Sequence, residues 1–231
     1  MSTLTLALDA STSVGTIAVL RDSSIVAEGE ALMRGEREER LLPAICATLA
    51  SAGCTVHDVG RVVCGAGPGS FTSLRIAAAI AKGMAVGNTA LGRETSVFAV
   101  SSLALIVAGR RPALDEGRYL ALLDAMRGER YAALLEIERS QSIREVEPGS
   151  GWRIAERDVA AVCASYNARA IGPGEEIQSA PHARGVAVLL PEILRTGPVS
   201  LDSWEPAYGR LAEAQVRWEA LHGRSLAPDT E

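Results

Sequence analysis

Residues Arg61–Gly87 constrain the chain most. A short apolar run, Arg61–Gly65, meets the turn Gly67-Pro68-Gly69-Ser70. A stretch from about Thr72 to Gly87 follows, in which only Arg75 and Lys82 are charged between Leu74 and Val86. Glycines admit backbone conformations that side chains forbid, so the order reads as strand, tight turn, long helix. Arg75 and Lys82 lie seven apart and share one narrow stripe. A helix covered by a sheet on one side should carry a polar opposite face. This one, with Ile76, Ala77, Ala78, Ala79, Ile80, Ala81, Met84 and Ala85, carries too little. The pattern therefore predicts cover on a second side, from the preceding helix or from another protein chain. Ala79, Gly83 and Gly87, spaced by four, permit close approach of a second helix.

The flanking sequence supplies the rest of a first lobe. Leu4, Leu6 and Leu8 alternate with Thr5, Ala7 and Asp9; with Thr16–Leu20 and Ile25–Ala31 they predict an antiparallel meander. A helix is predicted over about Glu36 to Ala52, with Leu41, Leu42, Ile45, Cys46 and Leu49 on one stripe and Pro43 bending it. Gly53 is its stop. A further strand lies near Ser96–Val100, and Ser101 or Ser102 is a candidate cap for the next helix. Residues Arg110–Gly117 read as a linker. A second strand–turn–strand set follows at Tyr119–Asp124, Met126–Gly128 and Arg130–Glu138. Then come a helix over Glu156–Ala164, a strand over Ala168–Ile171, loop over Gly197–Pro206 and a last helix over about Leu211–Leu221. The segment Gln178–Leu190 receives no assignment. The reading is an α/β chain of two related lobes with mixed sheets flanked by helices: residues 1–109, a smaller lobe over 110–210, and a C-terminal helix and tail, 211–231, packing back on the first lobe.

Composition excludes several functions. Hydrophobic residues are 48% and charged residues 22%, enough for a sizeable core. The net charge of −5 and the absence of a basic run longer than Arg110–Arg111 argue against an electrostatic grip on nucleic acid. The four cysteines lack CxxC spacing and the three histidines stand far apart, so no local zinc pattern exists. No apolar run approaches the roughly 20 residues that span a bilayer, and the N-terminus lacks a leader pattern. A cytoplasmic protein is expected.

Three motifs bear on chemistry. Asp9-Ala10-Ser11-Thr12 ends the first strand; a carboxylate followed by hydroxyls can organise phosphate or a metal-bound water, and can equally close an Asx- or ST-type turn. The Gly65–Thr72 turn offers Gly67, Gly69 and Ser70 to an anion at a helix start, or simply enters the helix tightly. It is not a P-loop, because the GxxxxGK[ST] spacing and its lysine are missing. Asp124–Tyr131 places a carboxylate, a guanidinium and a glycine turn between strands, an arrangement more often a solvated hairpin. No nucleophile elbow and no HExxH pair appear.

Together the segments LALDASTSVGTIAVL, GEREERLLPAI, GAGPGSFTSLRIAAAIAKGMA, LLDAMRGERYAALLE and EPAYGRLAEAQVRWE resemble the TsaB (YeaZ) family, whose members help install threonylcarbamoyl-adenosine beside the tRNA anticodon. The resemblance implies a two-lobed actin-like, ribonuclease H-like fold. It places Asp9, Ser11, Thr12, Gly67, Gly69 and Ser70 at a vestigial nucleotide site. It also implies a non-catalytic subunit that needs no cofactor of its own, ATP or ADP entering only at the level of the complex. Partners implied are a TsaD-type catalytic subunit, a TsaE-type ATPase and, when alone, a second copy; tRNA is met only indirectly. Helix facing and the family's mode of pairing nominate Arg40, Leu41, Ile45, Thr72, Arg75, Ile76, Ala79, Lys82 and Gly83 as interface residues. The rival reading is an active enzyme of the same fold, a phosphotransferase or glycoprotease-type hydrolase, using Asp9, Ser70 and Thr72. Three departures from the family are a serine at Ser73 where glycine is usual, the absence of a histidine over Gly35–Glu38, and Tyr208-Gly209-Arg210 for Tyr-Leu-Arg.

Overall fold

The computed structural model describes residues 3–33, 39–146 and 151–208. The first sheet has strand order β3-β2-β1-β4-β5: β1 (Leu4–Asp9), β2 (Val14–Arg21), β3 (Ser24–Leu32), β4 (Val59–Gly65) and β5 (Ser96–Val100). The meander β1–β2–β3 is antiparallel, and β4 and β5 join in parallel through crossover helices α1 (Leu41–Ser51) and α2 (Phe71–Ala90). Parallel pairs need such crossovers, and these put both helices on one face.

Every residue of β1 is buried. Leu4, Leu6 and Leu8 face α1 and α2, as the alternation predicts. The opposite face is buried as well. Ala7 packs with Ala18, Leu20, Val63 and Phe98 beneath a helix absent from the sequence reading, α5 (Val186–Thr196). That helix lies partly in the unassigned Gln178–Leu190 segment, and Pro191 inside it interrupts the helical pattern. Small side chains on this face of the sheet allow α5 to lie close.

The second sheet has order β11-β10-β6-β7-β8, with β9 also pairing β7: β6 (Gly117–Asp124), β7 (Glu129–Ile137), β8 (Ile143–Glu145), β9 (Trp152–Ala155), β10 (Ala168–Gly172) and β11 (Ile177–Gln178). Helix α3 (Ser102–Ala108) covers its inner face through Leu103, Ile106 and Val107; α4 (Val159–Tyr166) covers its outer face. The layers are α1 and α2, first sheet, α3 and α5, second sheet, α4. Residues 183–208, placed by the sequence reading in the second lobe, pack against the first sheet: Val186 and Ile193 enter its inner core, and Val199, Leu201 and Trp204 pack on its outer one. The predicted C-terminal helix over Leu211–Leu221 lies outside the described residues.

Two boundaries and one cap differ from the reading. Helix α1 begins at Leu41, where the Glu39 carboxylate accepts from the Leu41 and Leu42 N–H groups. Pro43 is therefore the third helical residue, where an N–H has no intrahelical partner anyway, and it sits in the first turn instead of bending the interior. Residues 36–38 of the predicted start lie outside the described residues. Helix α2 runs one turn past Gly87, because buried Asn88 donates to Val56 O (3.0 Å) and Thr95 Oγ1 (2.9 Å) and meets His57 Nδ1 (3.2 Å). Neither Ser101 nor Ser102 caps α3 with its side chain.

At the other edge of the first sheet, Glu28 on β3 bridges Arg111 (2.7 Å) and Arg184 (3.1 Å), tying the 110–117 linker and the α5 entry to the meander. His182 lies in the same cluster, buried, 3.7 Å from Glu30. Burial, then the Arg184 charge, lowers its pKa from 6.5 to about 4; Glu28 opposes this and Arg111 adds to it. The folded state thus binds fewer protons than the unfolded chain over that range. Its stability is complete above pH 6.5 and falls as pH drops towards about 4. Chemical denaturation at stepped pH should show this slope, and His182→Gln should flatten it. Asn88→Ala, which orphans several buried partners, should cost about 2 kcal/mol, read as a lower urea midpoint.

Candidate functional site

The six residues assigned to a vestigial nucleotide site do come together, around Asp9 at the C-terminal end of β1. Asp9 is 1% exposed. Its Oδ1 accepts from Ser11 N (3.0 Å) and Ser11 Oγ (2.6 Å), and its Oδ2 accepts from Ser102 Oγ (2.5 Å). Desolvation raises its pKa against the lowering effect of the Ser102 and Ser11 hydrogen bonds. Ser102 Oγ also accepts from Gly67 N (3.1 Å), and Ser102 N donates to Gly67 O (2.9 Å). The sequence reading held Ser102 only as a cap. Its actual role joins residues 93 positions apart, a contact no local pattern announces.

This cluster is closed by its own chain. A Cβ on Gly65 would lie 2.0 Å from Asp9 Oδ2, and one on Gly69 would lie 2.3 Å from Ser11 O. Ser70 N donates to Ser11 O (2.8 Å), so the two loops touch with no gap between them. Over the far side of the turn, Ala207 N donates to Ala66 O (2.7 Å), and Ala207 O would lie 2.5 Å from a Gly67 Cβ. Thr12 closes its own turn through Val14 O (3.1 Å). Ser70 Oγ does not cap α2; it pairs with Ser73 Oγ (3.0 Å), so the serine found where the family has glycine is used locally. The glycines here serve close loop packing. Among the described residues, no group of three or more His, Cys, Asp or Glu could hold a metal ion. The Asp124–Tyr131 motif is a hairpin turn, with Met126, Arg127 and Gly128 at positive φ and Arg130 Nη2 paired to Glu156 at 2.8 Å.

The second candidate surface is the outward side of α1 and α2. Leu74, Ala77, Ala81 and Ala85 face the sheet. Thr72, Arg75, Ala79, Gly83, Val86 and Gly87 face outward, Val86 being 60% exposed. On α1 the outward residues are Leu42, Pro43, Cys46, Ala47 and Ala50. A Cβ added to Gly83 or Gly87 would meet nothing within 4 Å. Glycine in an exposed helix interior costs about 0.5–1 kcal/mol relative to alanine, and nothing among the described residues compensates. Part of the sequence assignment is corrected here. Leu41 and Ile45 are 0% exposed and Ile76 packs against the core, because their stripe points at the sheet. Arg40, Thr72, Arg75, Ala79 and Gly83 are exposed, and Lys82 is half-buried with its Nζ 5.9 Å over Trp204. Leu42, Cys46, Val86 and Leu91, which the sequence reading did not nominate, are also exposed. The helical phase carried that signal, once the inward stripe was set by Leu74, Ala77 and Ala81.

Ser102→Ala should cost about 2 kcal/mol by leaving Gly67 N–H and an Asp9 oxygen short of a partner; a melting temperature unchanged from the parent would contradict the role given to this hydroxyl.

A sequence model of the family described as TsaD, tRNA N6-adenosine threonylcarbamoyltransferase, matches residues 34–149. The tRNA threonylcarbamoyladenosine biosynthesis protein TsaB of Escherichia coli K12 is 34% identical over 137 residues, 59% of this chain and 56% of that protein. The TsaB of Bacillus subtilis 168 is 28% identical over 151 residues, 65% and 62% of the respective chains. The chain thus spans under two thirds of the length of these curated relatives. A solved structure, YeaZ from Pseudomonas aeruginosa, superimposes with a TM-score of 0.72 at 26% identity, covering 89% of this chain and 99% of that one. With the two mixed sheets, the crossover helices and the β1 turn already placed, these matches show that the chain belongs to the TsaB/YeaZ family.

Proposed function

We propose that this protein is a non-catalytic scaffold subunit in the installation of threonylcarbamoyl on the adenosine beside the tRNA anticodon. In this reading it docks a TsaD-type catalytic subunit through the outward face of α1 and α2, a TsaE-type ATPase joins that pair, and a second copy takes the same face when the partner is absent. The observation that carries the proposal is the glycine-bearing stripe of α2, with Ala79, Gly83, Val86 and Gly87 outward and no charge between Arg75 and Lys82. Small residues let a partner helix approach until backbones nearly touch, and the apolar area so removed from water supplies affinity. Arg75, held 5.0 Å over the Phe71 ring, and Lys82 are the charges beside the stripe and give it register. The names of the relatives support the pathway.

The rival reading, an enzyme using Asp9, Ser70 and Thr72, is weakened by the state of those residues. Both Asp9 oxygens already accept hydrogen bonds inside a closed cluster, Ser70 Oγ is engaged with Ser73, and Thr72 lies outward on α2.

The test separates folding from docking. Gly83→Ala and Gly87→Ala should each raise the stability of the isolated chain by about 0.5–1 kcal/mol, since the new methyl meets open space. The same changes should weaken capture of the TsaD-type subunit, and Val86→Glu should abolish it and shift any dimer to monomer in sedimentation. Full capture by Val86→Glu would overturn the proposed face.

A further inference from the structure

The outward seam of α2 is heptad-like. Thr72, Arg75, Ala79, Lys82, Val86 and Thr89 follow one another at intervals of three and four, the spacing of residues that meet a partner helix. All are exposed except the half-buried Lys82. Two of these positions carry a cation, and each cation is held without being neutralised. Arg75 lies 5.0 Å over the Phe71 ring, which itself packs on Tyr208. Lys82 Nζ lies 5.9 Å over the Trp204 ring. A ring face attracts a cation through its quadrupole and brings no net charge.

The acids nearest the face are used elsewhere. Glu39 accepts from the first N–H groups of α1, and Asp58 pairs with Arg93 at 3.9 Å. Asp202 and Glu205 flank Trp204 in sequence, yet among the described residues neither forms an ion pair with Lys82. The chain holds 28 acidic residues and a net charge of −5. Even so, α1 and α2 contain no Asp or Glu across their 11 and 20 residues. Within these two helices the only charges are therefore of one sign.

A second copy pairing through this face forms an isologous contact, in which the same patch meets itself. Whatever the crossing angle, Arg75 and Lys82 then meet only cations from the facing helices. Like charges brought into an apolar seam disfavour that pairing, and carboxylates on a different partner favour the alternative. The two cations stand about 10 Å apart along the axis at 1.5 Å per residue, so matching carboxylates fall at heptad spacing on a partner helix.

Resting on the docking face proposed above, we propose that Arg75 and Lys82 are its selectivity element. They disfavour a second copy and admit a partner whose facing helix carries small or apolar residues and two carboxylates seven positions apart. Phe71 and Trp204 hold both cations in place before the partner arrives, which lowers the ordering cost of the contact.

Copies of this chain alone supply the first test. Sedimentation at about 50 and about 500 mM NaCl should show self-association that strengthens with salt, because screening relieves the repulsion. Arg75→Glu/Lys82→Glu mixed with the parent should associate about tenfold more tightly than the parent with itself, and this mixed pair should weaken with salt. Arg75→Gln/Lys82→Gln, whose lost charges leave the fold's core untouched, should self-associate independently of salt. Capture of the TsaD-type subunit should weaken about tenfold over the same salt range and be lost on Arg75→Glu/Lys82→Glu. A mixed pair no tighter than the parent pair would overturn the selectivity role. So would capture that Val86→Glu abolishes and charge reversal leaves intact, a result that keeps the docking face. A TsaD-type subunit that never binds removes the docking reading, and the parent-with-reversed mixture still decides what the two cations do.

Discussion

The fold turns on one buried carboxylate. Among the described residues no cation pairs with Asp9, and its oxygens are met by Ser11 N–H and by the hydroxyls of Ser11 and Ser102. Removing a carboxylate from water is costly unless its oxygens are hydrogen-bonded, so the chain must bring those donors to the end of β1. Ser11 comes with the turn. Ser102 comes from the start of α3, after β5, a strand joined to β1 through β4. The same hydroxyl holds Gly67, so the entry to α2 is set by the same group. One ionisable side chain thereby ties the first meander, the glycine turn and the helix leading into the second sheet.

That closure explains why a motif suited to phosphate can instead be structural. In a loop that binds an anion, backbone N–H groups point into open space. Here Ser70 N and Ser11 N already have oxygen partners within the chain, and Gly69 is pressed onto Ser11. The chemistry that leaves this protein's surface is accordingly sought on the outward helices. There the free-energy cost of two exposed glycines in α2 is not offset by packing among the described residues, which is the basis of the proposed docking face.

The sequence made much of this legible. The strands β1 to β5, the helix after the glycine turn and the β6–β7 hairpin follow from period-two and period-3.6 patterns with glycine punctuation, which are local signals. Helix α5 was not legible, because Pro191 interrupts its periodicity and its cover of Ala7, Ala18 and Val63 is visible only in the assembled sheet. The outward face was half legible. The small residues Ala79, Gly83 and Gly87 do face outward, but Leu41, Ile45 and Ile76 were assigned outward before the sheet-facing side of each helix was known.

What the sequence by itself determined is the order and type of most elements, the unusual lack of charge on α2, and the family to which the chain belongs. These depend on neighbours within a few residues or on contiguous motifs. What only the tertiary structure decided is which side of each helix is covered, that Ser102 reaches Asp9, and that residues 183–208 return to the first sheet. Those outcomes rest on contacts between residues far apart in the chain, such as Ala183 N to Thr16 Oγ1 across 167 positions. Loop closure over such distances leaves no local pattern to read, since its entropy depends only weakly on what lies between.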